Sequence, residues 1–134
     1  MPTSGKSATY LDSSALVKLV VTENESAALE KALIAVENLA SCNLARVEII
    51  RAARQKGRAV VEKARRLLAN VELIQLDDEL LALAAELEGP FRSLDAIHLA
   101  AALELGDELE AVVTYDGQMA RAAKSLGLTV VAPA

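Results

Sequence analysis

The chain has 134 residues, of which 53% are hydrophobic, and a net charge of −5; such a chain forms one domain with one substantial core, and disorder is excluded. No apolar run reaches the roughly 18 residues of a membrane span, and the head MPTSGKSATY lacks a signal peptide's apolar stretch. The single Cys42 excludes an internal disulfide and a cysteine-rich zinc site, so a reducing cytoplasm and no membrane partner are expected, with Cys42 a small buried hydrophobe.

Taken in chain order, SATYLD reads as a buried strand ending at Asp12, after a flexible leader over residues 1–8. SSALVKLVV and NESAALEKALIAV follow as helices, the second with apolar residues recurring at three and four. NLASCN is a short strand and LARVEIIRAARQKG a helix closed by Gly57. A basic helix RAVVEKARRLLAN, a strand VELIQL and a helix DDELLALAAELE come next, before Gly89-Pro90 breaks the pattern. RSLDAIHLAAALELG is a helix ended by Gly106; AVVTYD is a strand, GQMARAAKSLG a helix and LTVVAP a closing strand. Short apolar strands alternating with helices predict a three-layer α/β/α sandwich around a mainly parallel sheet, occupying residues 9–134.

Ligands of such folds gather beyond the C-terminal strand ends, and two acids fall there: Asp12 after the first strand and Asp116 after AVVTYD. Glu48 lies one turn into the helix after the second strand, and Asp95 in the first turn of its helix. Acids at helix starts are often caps. If all four instead face one cleft, they repel one another unless a hard divalent cation joins them; Mg²⁺ prefers oxygen ligands, and Mn²⁺ suits the same oxygens. His98, the chain's only histidine, has no second imidazole for a zinc site and is read as a hydrogen-bonded wall residue.

The charge is uneven. Residues 46–66 hold eight basic side chains (Arg46, Arg51, Arg54, Lys56, Arg58, Lys63, Arg65 and Arg66) against Glu48 and Glu62, eight minus two, a local +6 that leaves −11 elsewhere. That asymmetry fits either an anionic partner or a solvated helical face. Aromatics are too scarce for a base-stacking platform, with Tyr115 the one candidate, equally readable as a strand residue in the core.

LDSSALVKL, the glutamate of ARVEIIRAA, LDAIHLAAAL and TYDGQMARAAKSLGLTVV, in that order from Tyr10 to Pro133, resemble the PIN-domain ribonucleases, and more closely the VapC-type toxins of type II toxin–antitoxin pairs. The resemblance implies that Asp12, Glu48 and Asp95 are the acidic triad, Asp116 the fourth acid, and Ser14 and Thr114 their hydroxyl supports. It further implies a Mg²⁺-dependent endoribonuclease, a small antitoxin covering the cleft and a toxin homodimer. Arg46, Arg51, Arg54, Arg58, Arg65 and Arg66 then become a candidate surface for the RNA backbone. The helix ESAALEKALIAVENLA reads either as ordinary packing on the sheet or as part of a groove for antitoxin or dimer partner.

Two rival chemistries use the same acids. A phosphotransferase or phosphatase with Asp12 as nucleophile wants a second aspartate two residues on, where Ser14 stands. A non-catalytic Mg²⁺-binding signalling module wants adjacent acids near the first strand and a late lysine, which TYLDSS and VVTYDGQ do not supply. The word SGKS lacks the upstream glycine of a phosphate-binding loop and precedes the first strand.

Overall fold

Strands as short as these persist only when both faces of their sheet are covered, and the burial pattern shows that they are. The computed structural model describes residues 7–134. Its strands β1 (Ala8–Leu11), β2 (Leu39–Cys42), β3 (Glu72–Ile74), β4 (Leu109–Val113) and β5 (Val130–Val131) form one all-parallel sheet in the order β3-β2-β1-β4-β5. Within each strand successive side chains part to opposite layers. Leu11 and Val113 join one core; Tyr10, Cys42 and Val112 join the other.

The first core is closed by α1 (Ser13–Lys18), α2 (Ser26–Leu33), α3 (Leu44–Arg54) and α4 (Arg58–Ala69), which bury Leu16, Leu29, Ile49 and Ala64. The second is closed by α5 (Asp78–Glu86), α6 (Ser93–Leu103) and α7 (Gly117–Ser125), which bury Leu80, Leu99 and Met119. This is the expected three-layer α/β/α sandwich. Cys42 is fully buried, as expected, and Leu29 of α2 is buried in the first core, although Ile34 just beyond that helix is exposed. No helix among the described residues is long and apolar enough to cross a membrane.

The chain begins in the middle of the sheet, builds outward through β2 and β3, then returns past β1 to lay down β4 and β5. The direction therefore reverses between β1 and β4. A crevice opens at the C-terminal ends of the strands at such a reversal, and Asp12 and Asp116 stand at its two sides.

Element boundaries differ from the sequence reading where glycine acts. Helix α3 ends at Arg54, and Gly57, with φ of 114°, serves instead to turn the chain into α4. Gly106 opens a single 3₁₀ turn before β4, which starts at Leu109, two residues earlier than expected. The expected leader falls largely on residues 1–6, outside the described residues, and Ala8 already belongs to β1.

Gly89 controls the entry to α6. Its φ is 146°, and an added Cβ would collide with the Phe91 ring, two residues before the helix. Gly89→Ala is expected to destabilise the fold by about 1–2 kcal/mol, the strain of a side chain in that backbone region. Urea unfolding checks this; an unchanged midpoint would refute it.

Candidate active site

Asp12 caps α1 by accepting from the Ala15 amide at 3.1 Å, yet it is only 5% exposed, far more buried than a cap requires. Two hydroxyls hold it. Ser14 Oγ donates to Oδ1 at 2.7 Å, and Thr114 Oγ1, from the end of β4, donates to Oδ2 at 2.6 Å. Each hydroxyl also accepts from the chain beyond β4: Ser14 from the Tyr115 amide at 2.9 Å, Thr114 from the Asp116 amide at 3.1 Å. Burial raises the Asp12 carboxyl above its ordinary pKa despite these bonds.

Asp116 caps α7, accepting at Oδ1 from the amides of Gln118 and Met119. A bond from the Arg92 guanidinium holds its carboxyl below the ordinary range, assisted by those amides. Asp95, in the first turn of α6, is 5% exposed and accepts a two-pronged bond from Arg92, Nε to Oδ2 at 2.8 Å and Nη2 to Oδ1 at 3.0 Å. Arg92 Nη2 also reaches Asp116 Oδ2 at 2.6 Å.

Glu48 comes from the opposite helix layer. Its Oε1 accepts from Ser13 Oγ and lies 3.3 Å from His98 Nε2. Burial alone would raise this carboxyl, but the bonds from His98 and Ser13 outweigh it and hold Glu48 below its ordinary value. His98 is buried on α6, one turn after Asp95, with Nδ1 2.8 Å from the Tyr10 hydroxyl and 3.8 Å from Cys42 Sγ. Burial disfavours the imidazolium, yet the hydrogen bonds to Cys42 and Glu48 and the Asp12 charge prevail and raise His98 to about 10. His98 is therefore the wall residue that the sequence suggested, and it joins the two helix layers across the strand ends.

One cleft of about 250 Å³ is lined by Asp12, Ser13, Ser14, Glu48, Arg92, Asp95, His98 and Asp116. All four acids of the sequence reading thus face a common space. Ser14 and Thr114 support Asp12 directly. Three functional side chains were missed. Ser13 was hidden as one more serine of a helix start, and Tyr10 as a core aromatic. Arg92 had a signal, since a cation three residues before Asp95 shares its helical face.

The six arginines do not line this cleft; all are exposed on the α3–α4 pair. Arg51 follows Glu48 by three residues on α3, which puts the two on neighbouring positions of one helical side. Arg46 and Arg65 instead flank a separate groove with Ile50 and Leu68, while Arg54, Arg58 and Arg66 face solvent. Tyr115 is half-buried, donates to the Pro133 carbonyl at 2.6 Å and lies under Lys18 Nζ, 4.7 Å from its ring centre. It is built into the fold rather than offered to a base.

As a donor set the cleft is all oxygen apart from His98, which suits a hard divalent cation. Among the described residues, however, no three acidic, histidine or cysteine side chains stand close enough to hold a metal ion in the present arrangement. Arg92 bridges two of the acids instead.

Comparison with known proteins defines the class: the PIN-domain pattern matches residues 9–125, and the chain belongs to that family. Within it the chain is of the VapC type. It is 48% identical over 128 residues to Ribonuclease VapC46 of Mycobacterium tuberculosis, covering 94% of this chain and 98% of that protein. It is 39% identical over 131 residues to Ribonuclease VapC47 of the same organism, covering 92% of this chain and 96% of that protein. The fold matches the crystal structure of M. tuberculosis VapC20, a sarcin–ricin loop cleaving toxin, with a TM-score of 0.72 at 17% identity over 93% of this chain and 99% of that one. A toxin–antitoxin complex from Klebsiella pneumoniae matches with a TM-score of 0.70 at 20% identity over 94% and 98% of the two chains.

The buried Asp12 charge gives a stability prediction. Its folded-state pKa lies above the unfolded value, so ionisation costs stability at neutral pH, and that cost disappears as pH falls below the unfolded value. Asp12→Asn is expected to raise Tm by a few degrees at pH 7 in EDTA, with the gap to wild type closing toward acid pH. Calorimetry across pH reads this directly; a lower Tm at pH 7 would contradict it.

Proposed function

We propose that this protein is a Mg²⁺-dependent endoribonuclease, the toxin of a type II toxin–antitoxin pair, cleaving RNA by phosphodiester hydrolysis. The observation that carries this reading is the convergence of Asp12, Glu48, Asp95 and Asp116 on one cleft at the sheet's reversal point. It does so in a chain 48% identical to a ribonuclease of the VapC type. Asp12 and Asp95 would hold the ion, with Glu48 and Asp116 completing its shell directly or through water. When bound, Mg²⁺ supplies charge for the scissile phosphate and a lowered pKa for an attacking water, and Mn²⁺ suits the same oxygens.

The chain's own residues prepare that chemistry. Ser14 and Thr114 fix Asp12 so that its charge faces the cleft. His98 and Ser13 keep Glu48 ionised and oriented, so that its carboxylate would be placed to orient an attacking water. Arg51, exposed beside Glu48, is the arginine best set to meet the RNA backbone. A small antitoxin would cover the cleft and a basic side chain would suit its acids; a toxin homodimer completes the assembly, with Leu81 and Leu83 on α5 offering exposed apolar area.

Asp12→Ala or Asp95→Ala is expected to cut RNA cleavage by at least roughly 100-fold and to relieve growth inhibition, with circular dichroism unchanged. EDTA should have the same effect on the wild type. Cleavage that persists with normal Mg²⁺ dependence would defeat the site assignment, and a phosphoaspartate trapped on Asp12 would favour phosphotransfer instead. Arg51→Glu should weaken binding of RNA more than Arg66→Glu and should lower the salt slope by about 1. Filter binding over a salt series distinguishes these; equal effects would dismiss the role of Arg51.

A further inference from the structure

The guanidinium in this cleft does not come from the stretch where the sequence concentrates positive charge. Arg92 occupies the N-cap position of α6 but caps nothing with its side chain. Its guanidinium takes both oxygens of Asp95 and one of Asp116, joining the start of α6 to the junction of β4 and α7. Planar two-pronged pairing of this kind is the strongest that a carboxylate makes with a side chain. The Arg92 side chain is nevertheless 52% exposed, whereas that of Asp95 is 7% exposed. The carboxylate is buried, and the guanidinium reaches it from the solvent side. Asp12 and Glu48 are held by other means, hydroxyls for the one and His98 with Ser13 for the other.

We propose that Arg92 is a built-in counter-cation of the metal-free cleft, which competes with the divalent ion for the oxygens of Asp95 and Asp116 and must swing into solvent for the ion to enter. This rests on the reading that the cleft takes a divalent cation. The reason is electrostatic: a guanidinium and a divalent ion repel each other when both contact the same two carboxylates. Exclusion is then reciprocal, each weakening the other by the same factor. Exchange is open to the arginine because its own side chain is 52% exposed, so the guanidinium has solvent to move into while Asp95 stays buried. In the free protein the arginine relieves the repulsion between Asp95 and Asp116.

The test is titration of the full-length, metal-free protein with Mn²⁺ alone, following the free ion by electron paramagnetic resonance, with no RNA and no turnover. Arg92→Gln is expected to tighten Mn²⁺ binding by about 5-fold or more, and its Mn²⁺-induced rise in Tm should exceed that of the wild type. Arg92→Lys, which keeps the charge but loses the fork, should fall between the two. Wild-type binding with equal or weaker affinity in Arg92→Gln overturns the counter-cation and leaves the metal-dependent reading standing. No binding by any of the three overturns both.

Discussion

A carboxylate taken out of water has to be held by donors or it will take up a proton, and the site is organised around that constraint at Asp12. Its donors come from two places: Ser14 from the first turn of α1, and Thr114 from the end of β4, far along the chain. The parallel pairing of β1 with β4, with Leu11 opposite Val113, sets the distance between them. Both hydroxyls then accept from amides of the segment leaving β4, which orients Asp116. Sheet register thereby becomes side-chain geometry, and a slip of one residue would send Thr114 to the other face.

The second half of the site is built by bringing two helix layers over the strand ends. Glu48 belongs to the layer of α1 to α4, whereas Asp95 and His98 belong to that of α5 to α7. His98 spans them, with Tyr10 of the central strand on one nitrogen and Glu48 on the other. Four acids in one cleft are thus balanced by two cations of different character, a buried imidazole that orients and an exposed guanidinium that neutralises. The first is locked by packing. The second reaches in from solvent, which is what the proposed exchange of one cation for another requires.

Much of this was legible in the sequence, because the signals are local. Apolar runs of strand length alternating with helical periodicity pointed to the layers and the parallel sheet. Asp12 and Asp116 could be placed at strand ends from the words YLDSS and TYDGQ alone. Arg92 was legible in principle, three residues before Asp95, but nothing local says that it also reaches Asp116. The basic stretch was legible as charge: its arginines are exposed on α3 and α4, outside the acidic cleft, and Arg46 and Arg65 flank a groove of their own.

By itself, then, the sequence determined the elements, their order and the layered architecture, since these follow from periodicity and from residue type at element ends, while its resemblance to the PIN-domain ribonucleases singled out the four acids as candidates. Only the tertiary structure decided which acid the Thr114 hydroxyl holds, that His98 holds Glu48, and that Arg92 ties Asp95 to Asp116. Each of those bonds joins residues that meet because the strand order reverses between β1 and β4. That reversal is a property of how the crossovers pack, which no short stretch of the chain encodes.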